Sequence, residues 1–289
     1  MSKIKILADT ACDLDIEYAQ KYGIEIVPIY VTIEGTTYRD RYDIAPPEFY
    51  EMIAKPDIVP VTAQVPPALL MKKFKELVDE DYEVIAIMFS SGLSGTYQSA
   101  CIAAESVNPE KVHVIDSKAA SMGYGLIVLE AAKMANSGAT VEEITERVIY
   151  MRDRMEHIFA VGSLEMLKRG GRISTTQAAV GSLLGVKPIL QFSDGCIIPY
   201  EKARGGKQTI KKMVETMEER GYNIEDQIIG FDHARNTKFM RELEEAVKEK
   251  FNIKQIEEAE IGAAIGSHAG PGTISVFFLR KDKTPFDKR

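Results

Sequence analysis

Cysteine is scarce in this chain: Cys12, Cys101 and Cys196 are far apart and odd in number, which leaves neither a disulfide framework nor a C-x-x-C metal or redox pair. A reducing cytoplasm is the simplest setting. No apolar run approaches the roughly 18 residues that cross a bilayer, and the first residues pass straight into a strand without a charged and then apolar leader. Neither export nor stable membrane insertion is expected. Positive charge is in deficit as well: the net charge is −7, and no arm or helix gathers enough Lys and Arg to follow a nucleic acid. The four histidines lack H-E-x-x-H and zinc-finger spacing, so no metal is expected. No Lys-Ser or Lys-Thr closes a Walker A loop, which argues against ATP binding by this chain alone.

What is present is organised around one stretch. Val84 to Phe89 is apolar and too short for a helix, as suits a strand buried on both faces of a parallel sheet. Ser90, Ser91, Gly92, Leu93, Ser94, Gly95 and Thr96 follow, and then Tyr97, Ala100, Cys101 and Ala104 recur at helical spacing. The loop therefore runs from a strand's carboxyl end into a helix N-terminus, where unpaired N–H groups and a partial positive charge favour an anion. Ser94 is the candidate side-chain donor. The plainer reading is that Ser94 or Thr96 only caps the helix. Gly92-Leu93-Ser94-Gly95 lacks the spacing of a nucleophile elbow.

At 289 residues the chain has room for two domains. In the first half, short buried strands (Ile4 to Ala8, Val84 to Phe89, Lys111 to Asp116) alternate with helices, so an α/β domain with a parallel, Rossmann-like sheet is expected over 1–155. There Asp13 is read as the cap of a helix from Leu14 to Tyr22, and Thr62 falls in a proline-stiffened loop between Lys55 and Pro67. Ile24 to Ile33 is a β-rich run. Thr140-Val141-Glu142-Glu143 has capping-box spacing.

The second half, 156–289, is expected to be a mixed-sheet α/β domain covered by helices on one side. Its signals are an apolar helix from Gln177 to Leu184, the hairpin around Ser193-Asp194-Gly195, an amphipathic helix from Gln208 to Glu218, and strands near Gln227, Lys254 and Thr273. His268 sits in Ile265-Gly266-Ser267-His268-Ala269-Gly270-Pro271-Gly272, read as a tight loop open to a ligand. Lys168-Arg169-Gly170-Gly171-Arg172 and Lys202-Ala203-Arg204-Gly205-Gly206-Lys207 set guanidinium groups beside exposed amides, the chemistry of carboxylate or phosphate recognition. Solvated charged loops are the bland alternative.

Taken together, these segments resemble the DegV family of bacterial fatty acid-binding proteins. The resemblance rests on Ala8-Asp9-Thr10 with Asp13-Leu14, Val61-Thr62-Ala63-Gln64, Ser91 to Tyr97, Lys168 to Ile173, Lys187-Pro188-Ile189 and Ile265 to Gly272, in that order along nearly the whole chain. Near Thr62 the family pattern usually reads Thr-Ser-Gln-Pro, and Ala63 and Val65 depart from it. The resemblance implies a two-domain α/β protein, not itself an enzyme and without a cofactor, that encloses the tail of one long-chain fatty acid. It implies that the carboxylate meets Thr62, Ser94, a backbone amide near Gly95 and His268. It further implies that a separate ATP-dependent fatty acid kinase acts on the bound acid, with Arg172 and Arg204 toward the phosphoryl group or that partner. Leu183, Leu184, Ile29 and Phe277 are candidates for the tunnel wall.

Two other readings use the same residues. A Ser94/His268 acyl hydrolase would need hydrogen-bond reach between the pair, an acid orienting the imidazole and an oxyanion pocket. A sensor reporting lipid supply to a partner would use the same pocket.

Overall fold

The computed structural model describes residues 3–55, 57–174 and 186–281. The helix expected over 177–184, with Leu183 and Leu184, lies outside the described residues, as does the chain beyond 281.

From the N-terminal end, β1 (Lys3–Asp9), α1 (Ile16–Lys21) and β2 (Glu25–Val27) lead into a small antiparallel sheet of β3 (Tyr30–Ile33), β4 (Thr36–Arg39) and, past α2 (Pro46–Met52), β5 (Val61–Ala63). The β-rich run breaks at Pro28, whose missing N–H cannot continue a ladder. Next come α3 (Pro67–Asp79), β6 (Tyr82–Met88), α4 (Thr96–Val107), β7 (Val112–Asp116), α5 (Ser121–Asn136) and α6 (Val141–Arg152). Thr140 and Glu143 form the reciprocal capping box at the start of α6.

The parallel sheet has the order β2-β1-β6-β7. Because the order reverses between β1 and β6, the chains leaving these neighbours part to opposite faces and open a crevice at their carboxyl ends. Asp9 closes β1 there. Its buried carboxylate accepts the N–H of Ala11 at 3.0 Å and of Phe89 at 2.9 Å, tying the loop after β1 to the loop after β6. Desolvation outweighs these bonds and raises its pKa to about 7. Behind it, the Tyr124 hydroxyl of α5 donates to the Ile87 carbonyl and accepts the Asp9 N–H.

The second half contributes β8 (Met155–Ala160), α7 (Glu165–Arg169), β9 (Val186–Ser193), β10 (Cys196–Arg204), α8 (Gly205–Arg220), β11 (Ile228–His233), α9 (Thr237–Lys250), β12 (Gln255–Glu260), α10 (Ala263–Ala269) and β13 (Ile274–Leu279). Its sheet has the order β10-β9-β8-β13-β11-β12 and is antiparallel except for β11 with β12. Asp194 and Gly195, with φ of 48° and 78°, make the primed turn between β9 and β10. The fold is thus α/β, with a parallel four-stranded sheet and a mixed six-stranded one.

Both faces of the mixed sheet are covered, where one was expected. Ile158 and Ala160 of β8, with Val276 and Phe278 of β13, pack on the core beneath α8 and α9. Met155, Phe159 and Phe277 turn the other way and join the core of the parallel half, where α5 lies. Period-2 alternation makes one sheet serve two cores.

Three local expectations give way to contacts made far along the chain. Asp15, not Asp13, caps α1, accepting the N–H groups of Glu17 and Tyr18. Asp13 is buried, with φ of 56°, and its carboxylate takes the Arg41 guanidinium and the Gly262 N–H, each at 2.8 Å. Thr62 lies in a strand, pairing with Val31 of β3, although prolines flank it on both sides. The segment around His268 is α10, not a loop. Gly266 there is a packing glycine: a Cβ on it would come within 2.5 Å of the Tyr50 hydroxyl and 2.9 Å of the Phe49 ring. We expect Gly266→Val to lower the melting temperature by roughly 5 °C, since overpacking costs about 1–3 kcal/mol; unchanged melting would refute this account of Gly266.

Candidate functional site

A cavity of about 400 Å³ lies between the loop after β6 and the mixed sheet, with residues of β8, β9, β10 and β13 on its far side. Its inner wall is apolar or aromatic: Ile29, Phe89, Leu93, Phe159, Phe192, Ile197 and Phe277 line it. Ile29 and Phe277 were sequence candidates for such a wall. Phe192 and Ile197 come from the β9–β10 hairpin, whose tip rests on the loop after β6: the Ser90 hydroxyl donates to the Gly195 carbonyl at 2.7 Å.

Polar groups line it as well. Thr62, Ser94, Gly95, Arg172 and His268 all line the cavity, although Thr62 and His268 are 206 residues apart. The Thr62 hydroxyl is 2.8 Å from His268 Nε2. The hydroxyls of Ser94 and Thr96 are 3.0 Å apart, and Ser94 Oγ also accepts the Thr96 N–H at 3.2 Å. Thr96 Oγ1 in turn accepts the Val65 N–H at 3.3 Å. The hydroxyls of the loop thus divide their work: Ser90 and Ser91 are spent on Gly195 and Asp116, while Ser94 faces the cavity.

Gly95 is the cap residue of α4, with φ −77° and ψ 2°. Gln64 crosses directly over it to donate to the Ser99 hydroxyl at 2.9 Å, and a Cβ on Gly95 would fall 1.9 Å from the Gln64 carbonyl oxygen. Gly170 plays a comparable part on the other rim, where a Cβ would fall 2.1 Å from His268 Nδ1. Arg172 spans this rim, donating to the carbonyls of Leu93 and Gly170. Arg204 does not line the cavity; it is exposed at the end of β10, its N–H bonded to the Gln208 side chain.

Two histidines here are held neutral. Burial, and secondarily the Arg172 charge, pushes the His268 pKa down to about 4. Burial also lowers His157 to about 4. His157, on β8, was missed in the sequence because an isolated polar residue in an apolar strand carries no local sign of which face it takes. Its ring stacks on Phe192 with centroids 4.3 Å apart, accepts the Ala120 N–H at Nε2 and meets the Met155 carbonyl at Nδ1.

As a catalytic pair, Ser94 and His268 are not assembled. The imidazole reaches Thr62, no carboxylate holds it, and Nδ1 has no hydrogen-bond partner among the described residues. Among those residues no group of three or more His, Cys, Asp or Glu could hold a metal, and no helix is long and apolar enough to cross a membrane.

The family model described as "Uncharacterised protein, DegV family" matches residues 3–281. A DegV domain-containing protein of Caldanaerobacter subterraneus subsp. tengcongensis is 38% identical over 281 residues, covering 97% of this chain and 100% of the relative. Among solved structures, a Thermus thermophilus DegV family protein, described as binding fatty acid, superposes with a TM-score of 0.89 at 30% identity, covering 97% of this chain and 100% of that one. DegV of Bacillus subtilis, described as a fatty acid binding protein, gives 0.84 at 29% identity over 97% and 100% of the two chains.

The depressed histidines set a pH dependence. A ring whose folded pKa lies below its unfolded value near 6.5 contributes stability above pH 6.5, and that contribution drains as the pH falls through about 4. NMR titration should therefore place the midpoints of both His157 and His268 near 4, with up to about 3 kcal/mol of stability lost per ring on acidification. Midpoints near 6.5 would contradict the burial described.

Proposed function

The chain belongs to the DegV family, and from that premise we propose that it binds a long-chain fatty acid, tail in the apolar cavity and carboxylate at the polar groups of its lining. One observation carries the reading: a largely apolar cavity of about 400 Å³ has Thr62, Ser94, Gly95 and His268 together in its lining. An acyl tail of ~14 methylenes brings roughly 11 kcal/mol of gross burial energy at ~0.8 kcal/mol each, from which ordering costs are subtracted. A buried carboxylate stays ionised only where donors replace its lost water.

These polar groups have donors to give. When His268 Nε2–H donates to Thr62 Oγ1, the Thr62 hydroxyl proton is left for a ligand oxygen. When Thr96 donates to Ser94 through both its N–H and its hydroxyl, the Ser94 proton is left likewise. The backbone N–H of Gly95 adds a third donor beside the positive end of α4. Arg172 supplies charge at the rim, and among the described residues its guanidinium meets only carbonyl oxygens.

With no Walker A motif in the sequence, the finer proposal is a carrier that presents its acid to a separate kinase for acyl phosphate formation. Arg172 and Arg204 would then meet the phosphoryl group or the kinase surface, Arg204 from outside the cavity.

Native mass spectrometry of protein purified from bacteria should show a bound species of fatty acid mass. After delipidation, calorimetry with palmitate or oleate should give saturable binding; a protein always found empty that takes up neither acid would remove the proposal. Thr62→Ala and Ser94→Ala should each weaken binding roughly ten- to hundredfold, the worth of a hydrogen bond to a charged group. Gly170→Ala, which drives a methyl into His268, should weaken it as well and lower the melting temperature by a few degrees, since the imidazole must shift. Unaltered affinity in all three would dissolve the carboxylate seat.

A further inference from the structure

Beside the cavity lies a group of buried acids that lipid binding does not use. Asp13 leaves the parallel half, Asp232 stands on β11 of the mixed sheet, and the Ser121 hydroxyl at the start of α5 is in contact with a carboxylate oxygen of each, 2.6 Å in the case of Asp232. Asp13 and Asp232 are at most 1% exposed. Ser121 adopts φ of 53°, in the left-handed region, and lines the cavity, as does Ser275, which stands opposite Asp232 in the β11–β13 register.

A hydroxyl has one hydrogen. It can donate to one carboxylate, and the second oxygen facing it must then bring a proton of its own; otherwise two buried anions confront each other across a single atom. Asp13 is the one equipped to be the anion, since it holds the Arg41 guanidinium at 2.8 Å and the Gly262 N–H at 2.8 Å. Asp232 has no cation paired with it among the described residues; the hydroxyls of Ser121 and Ser275 and the Met122 N–H are its polar neighbours, and its desolvation outweighs all three. We propose that Asp232 is a neutral carboxylic acid that donates to Ser121, which donates to Asp13, so that one retained proton fastens the mixed sheet to the parallel half alongside the cavity.

The neighbouring groups favour this assignment. Around Asp232 stand Asp13 from the loop after β1, Asp40 and Arg41 from the loop after β4, Tyr50 from α2, Ser121 from α5, Glu260 from the end of β12 and Ser275 from β13. Arg41 is the one cation in that set, and it is already shared between Asp13 and the Glu260 carbonyl. Asp40 is committed to the Ala263 N–H. Desolvation raises the Asp232 pKa to about 7, against about 4 for an unfolded aspartate. The proton's contribution is therefore complete below about pH 4 and is lost as the pH rises through about 7. Above that, Asp232 and Asp13 repel across Ser121, the seam loosens, and the cavity wall formed by Ser121 and Ser275 loosens with it.

Asp232→Asn tests this, because an amide N–H can replace the acid's O–H toward Ser121. Because the buried carboxyls of Asp9 and Asp40 also have raised pKa values, the infrared readout is a difference: at pH 6 the protonated-carboxyl carbonyl band should be weaker in Asp232→Asn than in the wild-type protein, and the wild-type-minus-variant band should titrate away with a midpoint near 7. The melting temperature of the wild type should fall between pH 6 and 8.5 relative to that of the variant. The inference rests on the lipid reading only for a third measurement, in which wild-type affinity for palmitate weakens on the order of tenfold over that interval while the variant's profile flattens. Identical infrared spectra, parallel melting profiles, or a variant that fails to fold at pH 6 would each overturn the assignment. Absence of palmitate binding alone would count against the lipid proposal and leave the proton to be judged by the first two measurements.

Discussion

Everything at the mouth of the cavity depends on a buried carboxylate that binds no ligand. Asp9 ends β1 at the reversal of strand order and accepts amides from both its own loop and the loop after β6. Without that tie, the two chain segments leaving the sheet would part freely, and Ser94 and Gly95 would have no fixed position relative to the loop after β1. The expense of desolvating Asp9 is visible in its raised pKa and is offset by its amide donors. The switch point is thus a held junction as well as a topological one.

A second constraint comes from the other half of the chain. Helix α10 has only seven residues, too few to be stable through its own hydrogen bonds. Its first amides are taken by Asp13 and Asp40, from residues more than 200 positions earlier. Packing of Gly266 on Tyr50 and Phe49 holds its middle, and its last turn brings His268 to Thr62. The position of one imidazole therefore depends on a polar seam whose members come from four separate segments.

This also explains what could be read in the sequence. The order of strands and helices was legible because apolar periodicity and turn residues are local: the Asp194-Gly195 turn, the Thr140 capping box and the β6–α4 loop all report themselves within a few residues. Thr62, Ser94, Gly95, Arg172 and His268 were legible as candidates because each sits in a short segment of distinctive composition. The helical state of residues 263–269 was not, since glycines at 262, 266 and 270 imitate a loop until the aromatic ring above Gly266 is known. Asp13 was misread for the same reason: beside Leu14 it looks like a cap, and nothing near it announces Arg41 or Gly262. His157 and Ser121 gain their meaning only once β8 and α5 face each other.

The alternation along β8 and β13 reaches beyond packing. Residues 157, 159, 275 and 277 border the cavity, whereas 158, 160, 276 and 278 are sealed into the far side of the same sheet. Mutation can accordingly rebore the channel at odd-numbered sites while even-numbered ones keep the outer helices seated. Relatives built on this plank can diverge in the shape of what they hold without renegotiating how they fold.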